Sequence, residues 1–188
     1  IKVSGTSCAT SSSLATAITR LPGGRVECIN ANFTGSTATK KVYGADGVNL
    51  AFEFDGTNYI PIRTGMTTDT PSHVIELRNY LRMSLPGCAH RSGIGNPYAW
   101  TAVLGASEIS TGSEVTGFLT QSGNGTGAAL AIFTKDQTFI LYGSGSSSFN
   151  LVPSIFDIGY SAYTMQSVSN NTYGLTARGI QSLVTTQS

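Results

Sequence analysis

Over residues 73–85, HVIELRNYLRMSL, the chain alternates in a way that predicts one long strand. Ile75, Leu77, Leu81, Met83 and Leu85 fall on one face with Asn79 among them, and Glu76, Arg78, Tyr80, Arg82 and Ser84 fall on the other. A period of two is the mark of a pleated strand with one buried side. Upstream, VNLAFEFDGTNYIPI alternates on two arms around Asp55-Gly56, where a turn needs positive φ, and so predicts a hairpin. Downstream, shorter strands are predicted at residues 99–104, 114–120, 128–134, 138–142, 151–156 and 160–168, with one more in the tail between 175 and 184. They are separated by GASEISTG, QSGNGTG, TKDQ and GSGSSS, segments made of turn-forming residues.

Helical spacing occurs once. Leu14, Ala15, Ala17, Ile18 and Leu21 make an apolar stripe behind three serines that can cap it, and Pro22-Gly23-Gly24 stops it. Residues 25–29, Arg-Val-Glu-Cys-Ile, then read as a strand. The fold class that follows is all-β, a β-sandwich or jelly-roll-like domain with a short N-terminal helix. Residues 1–40 are expected to form a helix-strand opening segment and residues 41–188 the sandwich.

Composition narrows the functions this fold could serve. Charged residues are 11% of the 188, against about 25% in an average soluble chain, and Ser, Thr and Asn carry the polarity. A net charge of +1 with scattered basic residues offers no electrostatic footprint for nucleic acid. No apolar run reaches the ~18 residues that a membrane-inserting helix needs. The opening residue, Ile1, leads us to expect a processed product or a piece of a longer chain. Cys8, Cys28 and Cys88 lack CxxC spacing, which argues against structural zinc. They read either as free thiols or as a Cys8–Cys28 bridge with Cys88 left over.

The densest chemistry lies at residues 84–100, SLPGCAHRSGIGNPYAW. Cys88 and His90 sit two apart, but the glycines and prolines around them predict a loop, in which that spacing fixes no geometry. No GxSxG elbow occurs, and no pair of acidic residues is placed by spacing for glycoside hydrolysis. No catalytic residue, metal ligand or cofactor is therefore assigned. Arg91, Asn96, Tyr98 and Trp100 are instead the candidate ligand-binding residues. Rings stack on the C–H faces of sugars, and uncharged amides and hydroxyls bond their hydroxyl groups. Trp100 reads equally as the largest core residue. The face Glu76, Arg78, Tyr80 and Arg82 is charged in a chain that avoids charge. It suits another sheet, subunit or ligand, or else a cross-bridged solvent face.

HVIELRNYLRMSL, GIGNPYAWTAVLGAS and AALAIFTKDQTFILYGSG, within residues 41–188, together resemble the C-terminal β-rich domain of tailed-phage tailspike and tail-fibre proteins. ATAITRLPGGRVECI resembles the helix-to-strand starts found around β-helical spikes. The resemblance implies a homotrimer in the virion tail that contacts bacterial surface polysaccharide, with Glu76, Arg78, Tyr80 and Arg82 as an intersubunit surface. It carries over no catalytic residue, since depolymerase activity in that family resides in an upstream β-helix. Free thiols suit a particle assembled in a reducing cytoplasm. Two rivals stand beside it: a secreted bacterial adhesin or carbohydrate-binding module with a disulfide, and a small glycan hydrolase whose site is assembled from distant residues.

Overall fold

The computed structural model describes residues 2–4, 7–9, 19–35, 40–121, 129–143, 145, 147–155, 158–168 and 171–183. The helix expected over 14–21 lies almost wholly outside the described residues. Its one described apolar member, Leu21, is exposed. Among the described residues the protein is all-β, and its only helical piece is a 3-10 turn at Ala102–Leu104.

The chain divides into two compact units, Ile1–Leu85 with His90–Ser107 and Pro86–Ala89 with Glu108–Ser188. Residue 40 lies inside the first of these units. β3 (Glu27–Ala31) and β4 (Lys41–Ala45) flank that position and pair along their whole length, so it lies within one sheet.

In the first unit, β1 (Lys2–Ser4) and β2 (Ser7–Ala9) make a hairpin. β3, β4, β5 (Phe52–Phe54) and β6 (Tyr59–Pro61) form a four-stranded antiparallel meander in chain order. Asp55 shapes the β5–β6 turn by accepting the backbone N–H groups of Thr57 and Asn58 at 2.8 and 2.7 Å. β7 (Val74–Leu77) and β8 (Tyr80–Leu85) form a further hairpin, and β9 (Cys88–Arg91) and β10 (Ser107–Ser110) follow in the chain. The unit boundary falls inside β9 and β10. The core gathers Ala31, Tyr43, Ala45, Ile62, Val74, Leu81, Met83 and Trp100. Burying side chains the size of Ile62, Leu81 and Met83 contributes about 2 kcal/mol each.

In the second unit, β11 (Val115–Gln121), β12 (Ala129–Thr134), β13 (Thr138–Tyr142) and β14 (Asn150–Ile155) form another meander in chain order. β15 (Gln166–Val168), β16 (Asn171–Thr176) and β17 (Gly179–Leu183) form a three-stranded sheet. Ala129, Ala131, Phe133 and Ile140 from the first sheet pack with Tyr160, Met165 and Leu183, which gives the face-to-face layering of a β-sandwich. The opposite face of the meander, Phe118, Leu130, Ile132 and Leu141, is buried as well. The strands expected at 114–120, 128–134, 138–142 and 151–156 correspond closely to β11–β14. The segment 160–168 contributes only a bridge at Tyr160 and then β15, and 99–104 is a loop ending in the 3-10 turn rather than a strand.

The long strand expected over 73–85 is a hairpin. Arg78 and Asn79 both take positive φ, 56° and 64°, and form a two-residue turn between β7 and β8. The pairs are Val74 with Met83, Ile75 with Arg82, Glu76 with Leu81 and Leu77 with Tyr80. Residues directly opposite one another share a face, so Glu76 lies on the side of Val74, Leu81 and Met83. Tyr80 and Arg82 lie on the other side, with Ile75 and Leu77. Glu76, Arg78, Tyr80 and Arg82 therefore do not form one surface.

Candidate functional site

The loop from Ser92 to Gly105 belongs to the first unit and holds three of the four residues chosen for binding. Its backbone closes on itself. Gly93 N–H donates to Ala99 O at 2.7 Å, Ala99 N–H to Asn96 O at 3.2 Å, Leu104 N–H to Thr101 O at 2.9 Å and Gly105 N–H to Ala102 O at 3.0 Å. Side chains brace it further: Arg91 Nη1 donates to Gly105 O at 3.0 Å, and Trp100 Nε1 donates to Pro97 O at 2.8 Å.

The four candidates are placed differently. Trp100 is 5% exposed, sits in the core and meets His90 edge to face at 5.2 Å. Its core reading is the one the structure realises, because the loop folds the indole beneath itself. Arg91 is buried, with its guanidinium 4.6 Å from the centre of the Tyr80 ring. Asn96 is exposed and spends its Oδ1 on Tyr98 N–H at 3.0 Å. Tyr98 is 44% exposed, and its phenol pairs with Glu53.

The loop also shows three large aliphatic side chains to solvent. Ile94, Val103 and Leu104 are 65%, 96% and 59% exposed. Sequence reasoning missed them. The signal was present as apolar residues bounded by Gly93, Gly95 and Gly105, but alternation had assigned Val103 and Leu104 to a strand.

Beneath Tyr98 lies a buried carboxylate. β4 and β5 pair with Tyr43 directly opposite Glu53, so the Tyr43 hydroxyl donates to Glu53 Oε2 at 2.8 Å while Lys41 Nζ reaches Oε1 at 2.5 Å. Glu53 is 1% exposed. Burial, and then the hydrogen bond and negative charge of Glu53, push the Tyr43 and Tyr98 phenols well above their ordinary range. On the other face of the β7–β8 hairpin, Arg82 is also 1% exposed and donates from Nη1 to Leu77 O at 2.8 Å. Burial, and then the Arg91 guanidinium, lower its pKa to about 10. Both guanidiniums stack on Tyr80, whose ring face offsets part of their repulsion.

Cys28 and Cys88 are free thiols. Burial, and then Glu108, push the Cys88 thiol up to about 11, the reverse of what a thiolate nucleophile requires. Among the described residues, no cluster of His, Cys, Asp and Glu could hold a metal ion.

No known family pattern matches the chain, and no curated protein sequence does. Among solved structures it is similar to the extracellular domain of a hybrid two component system from B. thetaiotaomicron. That match has a TM-score of 0.56 at 9% identity, over 79% of this chain and 20% of that one. It is also similar to BBS1N, solved in complex with ARL6DN, with a TM-score of 0.52 at 9% identity over 84% of this chain and 48% of that one. This chain thus spans less than half the length of either. At such identity the likeness is one of fold alone, and the fold shared is β-rich.

Proposed function

We propose that this chain is a non-catalytic assembly and recognition module of the tailspike or tail-fibre kind, which associates as a homotrimer in a virion tail and contacts bacterial surface polysaccharide. The observation that supports it is the loop at 92–105: Ile94, Val103 and Leu104 stand in solvent on a backbone closed by its own hydrogen bonds. An aliphatic surface held in place loses little entropy on docking, which favours a protein partner over solvent. A second copy of the chain suits it, because a net charge of +1 sets up little long-range repulsion between copies. A bridged secreted adhesin is disfavoured by the free thiol of Cys28.

The test is mass in solution by light scattering. The native chain is expected to run as a trimer at micromolar concentration. A Val103→Asp, Leu104→Asp double variant is expected to run as a monomer with an unchanged melting midpoint, since exposed positions usually move stability by no more than about 0.5 kcal/mol. A monomeric native chain would count decisively against the assembly role.

A further inference from the structure

The sheet of β15, β16 and β17 has two unlike faces. In β16, Thr172, Gly174 and Thr176 are buried while Asn171, Tyr173 and Leu175 are exposed. The buried side packs on the core of the second unit, where Leu183 joins Ala129, Ala131 and Phe133. Gly174 lies so close to the Tyr160 ring that a Cβ there would stand 2.4 Å from its Cδ1. A larger residue could not make that approach, so the strand that carries Tyr173 is seated directly on the core.

Register lays out the other side. Tyr173 stands directly opposite Gln166 on β15 and Ser182 on β17, Asn171 opposite Val168, and Leu175 opposite Ile180. Residues directly opposite share a face, so the middle row across the three strands reads amide, ring, hydroxyl, with the strands about 4.8 Å apart. All three side chains are exposed, Tyr173 at 37%. Aliphatic residues flank that row, Val168 on one side and the Leu175–Ile180 pair on the other, and they are exposed too.

This arrangement selects a class of ligand. None of the residues on the face is charged, and Arg178, in the β16–β17 turn, is the only charged residue between 158 and 183. Ionic attraction to a charged polymer is therefore confined to one turn. A protein–protein interface has an apolar centre within a polar rim. Here the amide and hydroxyl belong to the central row and the aliphatic side chains to its flanks. A sugar ring fits the order found, an aromatic face for its C–H groups with uncharged donors and acceptors on either side for its hydroxyls. The row is open to solvent along its length, which suits a polymer laid across it.

We propose that the outer face of the β15–β17 sheet binds an uncharged polysaccharide, with the Tyr173 ring stacked on a sugar and Gln166 and Ser182 bonding its hydroxyls. The proposal rests on the recognition role above and gives it an address in the second unit, away from the candidates chosen by sequence.

The experiment is affinity electrophoresis and calorimetry of the intact chain with dextran, galactomannan and arabinoxylan, with polygalacturonate as the anionic control. Saturable binding of at least one uncharged polymer and none of polygalacturonate is expected. Tyr173→Thr keeps a strand-favouring residue and removes the ring, and it should weaken binding about tenfold. Tyr173→Phe keeps the ring and should stay within about twofold of the native chain. Gln166→Ala and Ser182→Ala should each cost roughly fivefold, the worth of one neutral hydrogen bond, with little change in melting midpoint at these exposed positions. Light scattering reads the rival occupant: a lower mass for Tyr173→Thr than for the native chain would make the face a contact between copies and overturn the proposal. Tighter binding of polygalacturonate than of the uncharged polymers would overturn it as well. Binding that Tyr173→Thr, Gln166→Ala and Ser182→Ala all retain would place the site elsewhere, sinking this face but sparing the recognition role. Binding of none of the three uncharged polymers would sink both.

Discussion

Glu53 shows how one residue can hold a surface loop to a sheet. Its carboxylate is buried, yet it collects a proton donor from Tyr43 directly across the strand pair, an ammonium from Lys41 and the phenol of Tyr98 in the loop. Removing one partner from a buried ionic group leaves the others unpaired, so Glu53→Ala is expected to cost about 3 kcal/mol in urea denaturation. Tyr98→Phe removes a single bond at a partly exposed position and should cost about 1 kcal/mol. Equal losses for the two variants would mean that the network acts through Tyr98 alone. In the sequence, Glu53 was visible on an arm of the predicted hairpin, but neither the strand that carries Tyr43 nor the register that sets it opposite Glu53 was. The same holds for Trp100, where composition offered a platform and a core residue with equal force, and only the folded loop chose between them.

At the scale of elements, the β7–β8 hairpin is the instructive case. Its apolar alternation runs unbroken through a two-residue turn, because such a turn occupies two positions and leaves the odd-even pattern intact. What changes is which face each parity joins: odd residues before the turn pair with even ones after it. Arg-Asn is a poor advertisement for this turn, which favours Asn-Gly, although Asn tolerates positive φ better than most residues. Asn79→Val would force a β-branched residue to φ 64° and is expected to lower stability by about 1–2 kcal/mol. Asn79→Gly should be tolerated. Equal stability of the two in chemical denaturation would show that the turn strain is relieved elsewhere.

Across the whole molecule, stability should depend on pH at both ends. Backbone and side-chain bonds from Asn58 hold Asp55 below its ordinary pKa, and for Asp46 the bonds from Asn49, Val48 and Arg20 outweigh the upward push of burial. The stability these carboxylates lend is present above ~3.9 and is lost as pH falls through the depressed values. The Cys88 thiol, raised to about 11, acts in the opposite direction. Its contribution is intact below ~8.5 and disappears as pH climbs toward the folded value. Urea midpoints should therefore be flat between about pH 5 and 8 and fall on either side. Cys88→Ala should remove the first part of the alkaline fall, and an unchanged alkaline limb in that variant would assign it to other groups, the Tyr43 and Tyr98 phenols first.

Alternation, glycine-rich turns and low charge determined by themselves that this chain is all-β and where most strands of the second unit begin and end. Those are local properties: a strand with one buried side must alternate, and a turn needs residues that accept its backbone angles. The tertiary structure decided everything that depends on pairing. It split the 73–85 strand into a hairpin, and drew Arg91 and Trp100 inward while leaving Ile94, Val103 and Leu104 outside. The buried, unpaired hydroxyls of Thr116 and Tyr160 belong to the same class. A missing hydrogen-bond partner is a relation among residues far apart in the chain, and no periodicity encodes it.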